Sequence, residues 1–118
     1  MKMNINMKKI VFFLLVQFVA IGAFAQEAAI KEAEVAYTKE DYGKAIELYE
    51  GLLKTHGESA EIYYNLGNAY YKENKIAPAI LNYERALLLD PGDGDIRFNL
   101  QLARQKSCLL YTSDAADD

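Results

Sequence analysis

One block of this chain recurs at a fixed distance, and that recurrence limits the possible folds more than any other feature. Asp41-Tyr42-Gly43-Lys44-Ala45-Ile46-Glu47-Leu48-Tyr49 aligns with Lys75-Ile76-Ala77-Pro78-Ala79-Ile80-Leu81-Asn82-Tyr83, so that Ala45 and Tyr49 return 34 residues later as Ala79 and Tyr83. A period of this length marks small helical units that cannot bury their apolar faces alone and do so by stacking. Within each unit the apolar residues recur at helical spacing. The pattern predicts an all-α chain of antiparallel helix pairs, Glu27 to Lys39 with Tyr42 to Lys54 and Ala60 to Glu73 with Ile76 to Leu89, followed by a fifth helix from near Asp95.

Local chemistry accounts for the breaks. Ser59 stands where its hydroxyl can cap a helix beginning at Ala60, and Glu61 places a carboxylate near the positive end of that helix. Pro78 lies early in its helix, where the missing N–H costs little. Asp90-Pro91-Gly92-Asp93-Gly94 stops the fourth helix. Asp90, Asp93 and Asp95 have only a superficial likeness to a calcium loop, because the glycine and the late glutamate of that motif are missing at the required offsets.

Tyr63, Leu66, Gly67, Tyr70, Ala79, Tyr83, Ala86 and Pro91 stand in the order and spacing of the tetratricopeptide repeat (TPR) consensus, which the second unit resembles throughout. In that reading Gly67 and Ala79 face each other at the close approach of the paired helices. The first unit departs from the pattern, with Ala33 for the glycine, Ala36 for an aromatic residue, Leu52 for the later alanine and Gly57 for the proline, as terminal repeats often do. The resemblance implies a short TPR solenoid of two repeats and the first helix of a third, the latter turning Ile96, Leu100 and Ala103 inward. Residues Ala60 to Arg104, taken with the leader described next, also resemble the exported TPR proteins of aerotolerance (Bat-type) operons in Bacteroidetes. Proteins of that kind usually continue through further hydrophobic segments, which would add membrane association through a following C-terminal part.

Lys8 and Lys9 precede the apolar run Ile10 to Ala20, and Ala23-Phe24-Ala25 follows ahead of Gln26. A basic start, a short apolar centre and a small-x-small site are the marks of a secretory signal peptide, so residues 1–25 are expected to direct export to the periplasm or cell envelope. Met7 reads as a more natural start than Met1. A retained membrane anchor is the alternative, although Gln17 interrupts the run. Residues 26–107 form the expected TPR domain. From Cys108 onward both the helical period and the repeat register are lost, and the string Cys108 to Asp117 matches one translated frame of a transposon-end sequencing adaptor. Residues 108–118 are therefore expected to be a non-native tail.

Function classes narrow quickly. Outside the leader the chain has 10 basic and 17 acidic residues, which gives no electrostatic reason to bind nucleic acid. Cys108 and His56 are the sole residues of their types, so neither a disulfide within the chain nor a multi-histidine metal or catalytic cluster is available. No Gly-rich phosphate loop or nucleophile motif occurs, so no enzyme, catalytic residue, cofactor or metal is expected.

What the TPR resemblance implies is a concave face that takes a protein or peptide partner. Its groove positions fall on Glu61, Tyr64, Asn65, Asn68, Tyr71 and Lys72 in the second unit and on Asp95, Phe98, Asn99 and Leu102 in the third. The expected ligand-binding residues are Tyr64, Asn65, Asn68, Tyr71, Lys72, Phe98 and Asn99, with amides for a peptide backbone and aromatic rings for contact at low entropic cost. Tyr71 and Phe98 fit packing between repeats equally well. Ile30 and Glu34 stand where a chaperone-type carboxylate clamp would need basic and amide groups. Two roles follow from different classes: a periplasmic interaction scaffold, or an accessory domain of a longer envelope protein whose activity lies in a following part. Export with cleavage after Ala25 predicts a mature chain that begins at Gln26, and mass spectrometry of protein secreted through its own leader checks it; a periplasmic product still starting at Met1 or Met7 would refute cleavage.

Overall fold

The computed structural model describes residues 4–116, all of its regular structure helical: α1 (Ile5–Thr38), α2 (Tyr42–His56), α3 (Ala60–Lys72), α4 (Ile76–Leu89) and α5 (Gly94–Ala116). Successive helices pack against one another in chain order, α1 on α2, α2 on α3, α3 on α4 and α4 on α5, with α3 also touching α5. This is the stacking of a short solenoid, two helix pairs and the first helix of a third. The long ends of α1 and α5 stretch the molecule to 78 × 29 × 24 Å.

The turn inside each pair is built the same way twice. After α1, Glu40 donates its backbone N–H to Tyr37 and Asp41 to Ala36; after α3, Asn74 donates to Tyr71 and Lys75 to Tyr70. These are Schellman closures, and each needs one residue in the left-handed region, Glu40 at φ 61° and Asn74 at φ 62°. Asn tolerates that conformation better than Glu, so the second turn is the less strained. Between pairs, Ser59 Oγ accepts the Ile62 N–H at 3.4 Å as its sequence position predicts. Asp41 caps α2 by accepting from the Lys44 N–H. Asp93 caps α5, its Oδ1 accepting from Asp95 and Ile96 at 2.9 and 3.0 Å. The aspartate run after α4 thus acts in part as a helix cap.

Three helices extend beyond their predicted limits, α1 and α5 by the most. α1 runs without a break from Ile5 through the apolar leader into the first repeat, and nothing in the Ile5–Phe24 stretch is buried. Its leader part is apolar all round, so no helical period marks it, yet it remains helical. α5 continues through Cys108 and beyond, where Leu109 and Tyr111 are exposed. The helix continues past Cys108, where the helical period is lost. Helix α2 gains Thr55 and His56, and α3 stops one residue early, at Lys72.

The core runs through the stack as two linked clusters. One gathers Ala33, Ala36, Ala45, Tyr49, Leu52, Ile62 and Leu66; the other gathers Tyr63, Ala79, Tyr83, Ala86, Ile96, Leu100 and Ala103. Small residues recur wherever helices meet, with Ala33, Ala45, Ala79, Ala86 and Ala103 all fully buried. The nearest neighbour of Gly67 is the ring of Tyr83, which the sequence pattern alone does not place there, and a Cβ built on Gly67 would lie 2.7 Å from the Tyr83 Cδ1 and Cε1 atoms. Ala79 is buried in the same cluster, but the close approach that demands glycine is aromatic.

Gly67→Ala therefore drives a methyl group into a packed ring, and the overpacking outweighs the better helix propensity of alanine. A net loss on the order of 1–2 kcal/mol is expected. Gly51, in α2, has nothing within 4 Å of its would-be Cβ, so Gly51→Ala should stabilise the fold by about 0.5–1 kcal/mol. Thermal melts of the two variants against the parent check both signs, and a Gly67→Ala protein at least as stable as the parent would contradict the packing described.

Candidate functional site

Helices α1, α3 and α5 line one face of the solenoid, and on it the repeat places polar and aromatic side chains in register. The centre is a hydrogen-bonded group built on Asn68. Tyr83, reaching through from α4, donates its hydroxyl to Asn68 Oδ1 at 2.6 Å. Asn99 Nδ2 on α5 donates to the same oxygen at 2.9 Å and to the Tyr64 hydroxyl at 3.1 Å. The rings of Tyr64 and Tyr83 lie 6.0 Å apart, tilted by 47°. Helices α3, α4 and α5 are thus tied together by polar contacts directly beneath the groove surface.

Two recesses flank this group. The first, about 220 Å³, is lined by Tyr37, Asn68, Tyr71, Lys72, Tyr83, Asn99 and Leu102. The second, about 300 Å³, is lined by Glu34, Tyr37, Thr38, Tyr49, Asn65 and Asn68. Tyr37 and Asn68 belong to both, so the recesses adjoin. Tyr71 is half-buried with the Lys106 ammonium 4.8 Å from its ring centroid, a cation–π contact between α5 and α3.

Of the seven side chains expected from sequence, Tyr64, Asn68 and Asn99 meet in one network, Tyr71 and Lys72 join Asn68 and Asn99 around the first recess, and Asn65 lines the second. Phe98 is not brought in. It is 61% exposed and lines neither recess, so it packs neither with the group nor between repeats. Sequence reasoning missed Tyr37, Tyr49 and Lys106 as groove residues and assigned Tyr83 only to the core. The signal for two of them was in the repeat itself, since Tyr37 and Lys106 stand one 34-residue period from Tyr71 and Lys72. Glu34 occupies the first-repeat position equivalent to Asn68 and gives the second recess its negative charge.

Burial raises the pKa values of Tyr37, Tyr49 and Tyr83 at this face. Tyr49 is pushed up to about 12, first by desolvation and then by the nearby Glu34 and Glu61 carboxylates, against a smaller downward pull from Asn65. Tyr83 is raised further, by desolvation above all. Tyr70, on the side facing α2, is pushed up to about 12 by desolvation and by its hydrogen bond to Glu50. Among the described residues, no three His, Cys, Asp or Glu side chains are placed to hold a metal ion.

Comparison with known proteins agrees with this architecture. Residues 60–93, covering α3, α4 and the turn after them, match the tetratricopeptide repeat family. A stretch of 67 residues, 57% of the chain, is 33% identical to the peroxisomal targeting signal receptor of Saccharomyces cerevisiae, of which it covers 11%. The crystal structure of the Sgt2 TPR domain from Aspergillus fumigatus is similar at a TM-score of 0.67, with 25% identity, over 70% of this chain and 55% of that one. This chain spans about a tenth of the receptor and about half of the Sgt2 chain. It carries a tetratricopeptide repeat within a short all-helical TPR solenoid.

The pKa shifts set an alkaline limit on stability. A folded-state tyrosine pKa above its unfolded value of 10.0 leaves the folded chain holding protons that the unfolded chain releases, so stability is complete below pH 10 and falls as pH rises toward 12. The part of the tyrosinate absorbance that belongs to Tyr49, Tyr70 and Tyr83 should therefore rise late and together with loss of helical circular dichroism. Early, non-cooperative ionisation of all the tyrosines near pH 10 would contradict the burial described.

Proposed function

We propose that the protein is an exported TPR scaffold of the periplasm or cell envelope that holds a peptide or partner helix along the face formed by α1, α3 and α5. The observation that carries this reading is the pair of adjoining recesses sharing Tyr37 and Asn68, with aromatic walls and free amide groups where an extended backbone can be held. Asn68 Oδ1 is used internally by Tyr83 and Asn99, which leaves its amide N–H groups for a ligand. The similarity to a protein named as a targeting signal receptor favours a peptide-reading role over a catalytic one. Export is supported by the basic-apolar-small order of the leader and by its complete exposure on α1. The helix contains an 18-residue window of mean hydropathy 1.9, as a signal sequence or an anchor would. The Bat-type resemblance of Ala60 to Arg104 supports the same compartment.

A second reading, an accessory domain within a longer envelope protein, is favoured by the open surface between α4 and α5. There Leu87, Leu88 and Leu100 line a broad recess, and Leu88 is 83% exposed.

Site-specific photo-crosslinking from Asn65 in the native cell captures the groove's occupant, and purified occupant then gives an affinity. Asn65→Ala and Phe98→Ala separate groove residues from the exposed ring beside them. Asn65→Ala should weaken binding about tenfold, and its melting temperature, lowered only by loss of the contact with the Tyr49 hydroxyl, is measured beside it, whereas Glu47→Ala on the outer helix α2 should have no effect. Equal affinities for Asn65→Ala, Phe98→Ala and the parent would refute the groove reading.

A further inference from the structure

The face opposite the groove carries a recess of its own, about 480 Å³, between the outer helices α2 and α4. Leu53 of α2, Tyr63, Leu66 and Tyr70 of α3, and Leu81 of α4 wall it. Its polar groups are unevenly matched. Tyr63 donates its hydroxyl to Glu58 Oε1 at 3.1 Å, Tyr70 donates to Glu50, and Asn82 Nδ2 donates to the backbone oxygen of Pro78 at 2.8 Å, one turn back in α4. Every uncharged side-chain donor of the recess is thereby used. Asn82 is 4% exposed, and its buried Oδ1 has no hydrogen-bond partner among the described residues. The bond to Pro78 accounts for the amide nitrogen and leaves the oxygen unexplained. A buried acceptor without a donor costs free energy that a well-placed donor returns. Arg85, three residues on in the same helix, does not supply it, since its guanidinium lies over the Tyr63 ring, 5.8 Å from the centroid.

Charge decides what kind of donor fits. Glu50 and Glu58 line the recess together with Lys54 and Arg85, two carboxylates against two cations, so it favours neither sign. Tyrosine and leucine walls favour a flat apolar group. A hydroxyl or a carboxamide would bring in an acceptor of its own, for which no uncharged donor is left. The indole of tryptophan is uncharged, broad and apolar, and its N–H donates without accepting. We propose that this recess is a second binding site, which takes a tryptophan side chain of a partner protein with the indole N–H directed to Asn82 Oδ1. That partner is not a second copy of this chain, which contains no tryptophan. Because the oxygen is closed to solvent, entry requires the 46% exposed Leu81 beside it to turn aside. The site lies on the far side of α3 from the groove and does not rest on the groove reading, so both faces can be occupied at once.

The test uses the full isotope-labelled chain in mild non-ionic detergent with two probes, N-acetyltryptophanamide and its analogue methylated on the indole nitrogen. Because the chain has no tryptophan, fluorescence of the probe reports its surroundings directly, with detergent alone as the baseline. The expected result is a saturable blue shift of emission and a matching shift of the Asn82 side-chain amide signals in NMR. The methylated probe should bind about tenfold more weakly, as the loss of one hydrogen bond to a buried acceptor implies. Asn82→Leu should bind the two probes equally, since the oxygen that separates them is gone, with circular dichroism as the check on its fold. Leu81→Phe, which fills the recess from its exposed side, should weaken both probes alike and covers the case in which Asn82→Leu does not fold. Asn65→Ala, in the groove, should change neither. Equal binding of the two probes by the parent, or NMR shifts confined to the groove around Asn68, would overturn the site. Tighter binding of N-acetylargininamide at Asn82 would overturn the choice of an uncharged donor, and absence of saturable binding would overturn the proposal as a whole.

Discussion

The contact between the Tyr83 ring and the backbone at Gly67 holds the rest of this structure in place. Helix α4 can approach α3 that closely only because no Cβ stands between them, and the ring so admitted carries its hydroxyl through to Asn68 on the opposite face. One side chain thus does two things at different depths: its carbons belong to the core beside Ala79 and Ala86, and its oxygen fixes an amide at the groove. Because Asn68 Oδ1 also takes the Asn99 amide, the rotation of α5 against α3 is set by the same atom. Groove geometry is therefore a consequence of core packing, which is how a protein fixes the directions of exposed polar groups without spending backbone flexibility on them.

The first pair of helices repeats this arrangement with different chemistry. Tyr49 stands one period before Tyr83 and is 2% exposed, and its hydroxyl lies among Glu34, Glu61 and Asn65, the first of which is one period before Asn68. Ala33 stands in the place of Gly67 on α1 and is fully buried in the core. Desolvation first, and the Glu34 and Glu61 carboxylates after it, raise the Tyr49 pKa and keep the phenol protonated. The difference between the two pairs is therefore one of charge more than of fold.

Helix pairing, the internal turns and the core small residues were legible in the sequence because each leaves a local trace: period, cap or a residue without bulk. Ser59, Ala79 and Gly67 each answered to such a trace, and each is placed as a cap, a core residue or a close approach. What faces Gly67 was not legible, since it is decided by how an aromatic side chain turns, and Tyr83 left the same helical-period signal as any core residue. The limits of α1 and α5 were illegible for another reason. Amphipathic period reports burial on one side, and the leader of α1 and residues 107–112 of α5 bury nothing, so their helicity left no periodic mark. Lys106 and Tyr37 carried the strongest unused signal. The repeat register that identified Lys72 and Tyr71 also points to them, but it has to be followed into the atypical first unit and the incomplete third.

Followed through all three units, that register changes the chemistry of the groove face from one unit to the next. The position of Glu34 becomes Asn68 and then Leu102, and the position of Thr38 becomes Lys72 and then Lys106. Ile30 likewise becomes Tyr64 and then Phe98. Stacking translates a single backbone geometry along the solenoid axis, so each series is a line of side chains at nearly constant orientation whose chemistry changes step by step. Glu34 places a carboxylate on α1, Lys72 and Lys106 follow Thr38 in their own line, and Glu27, Glu61 and Asp95 keep another line acidic in all three units. Under the proposed function the central amides are already oriented by Tyr83 and Asn99, so little of the binding free energy would be lost in ordering the site. Substitutions along these lines change the chemistry of the surface without disturbing the Gly67–Tyr83 contact beneath it.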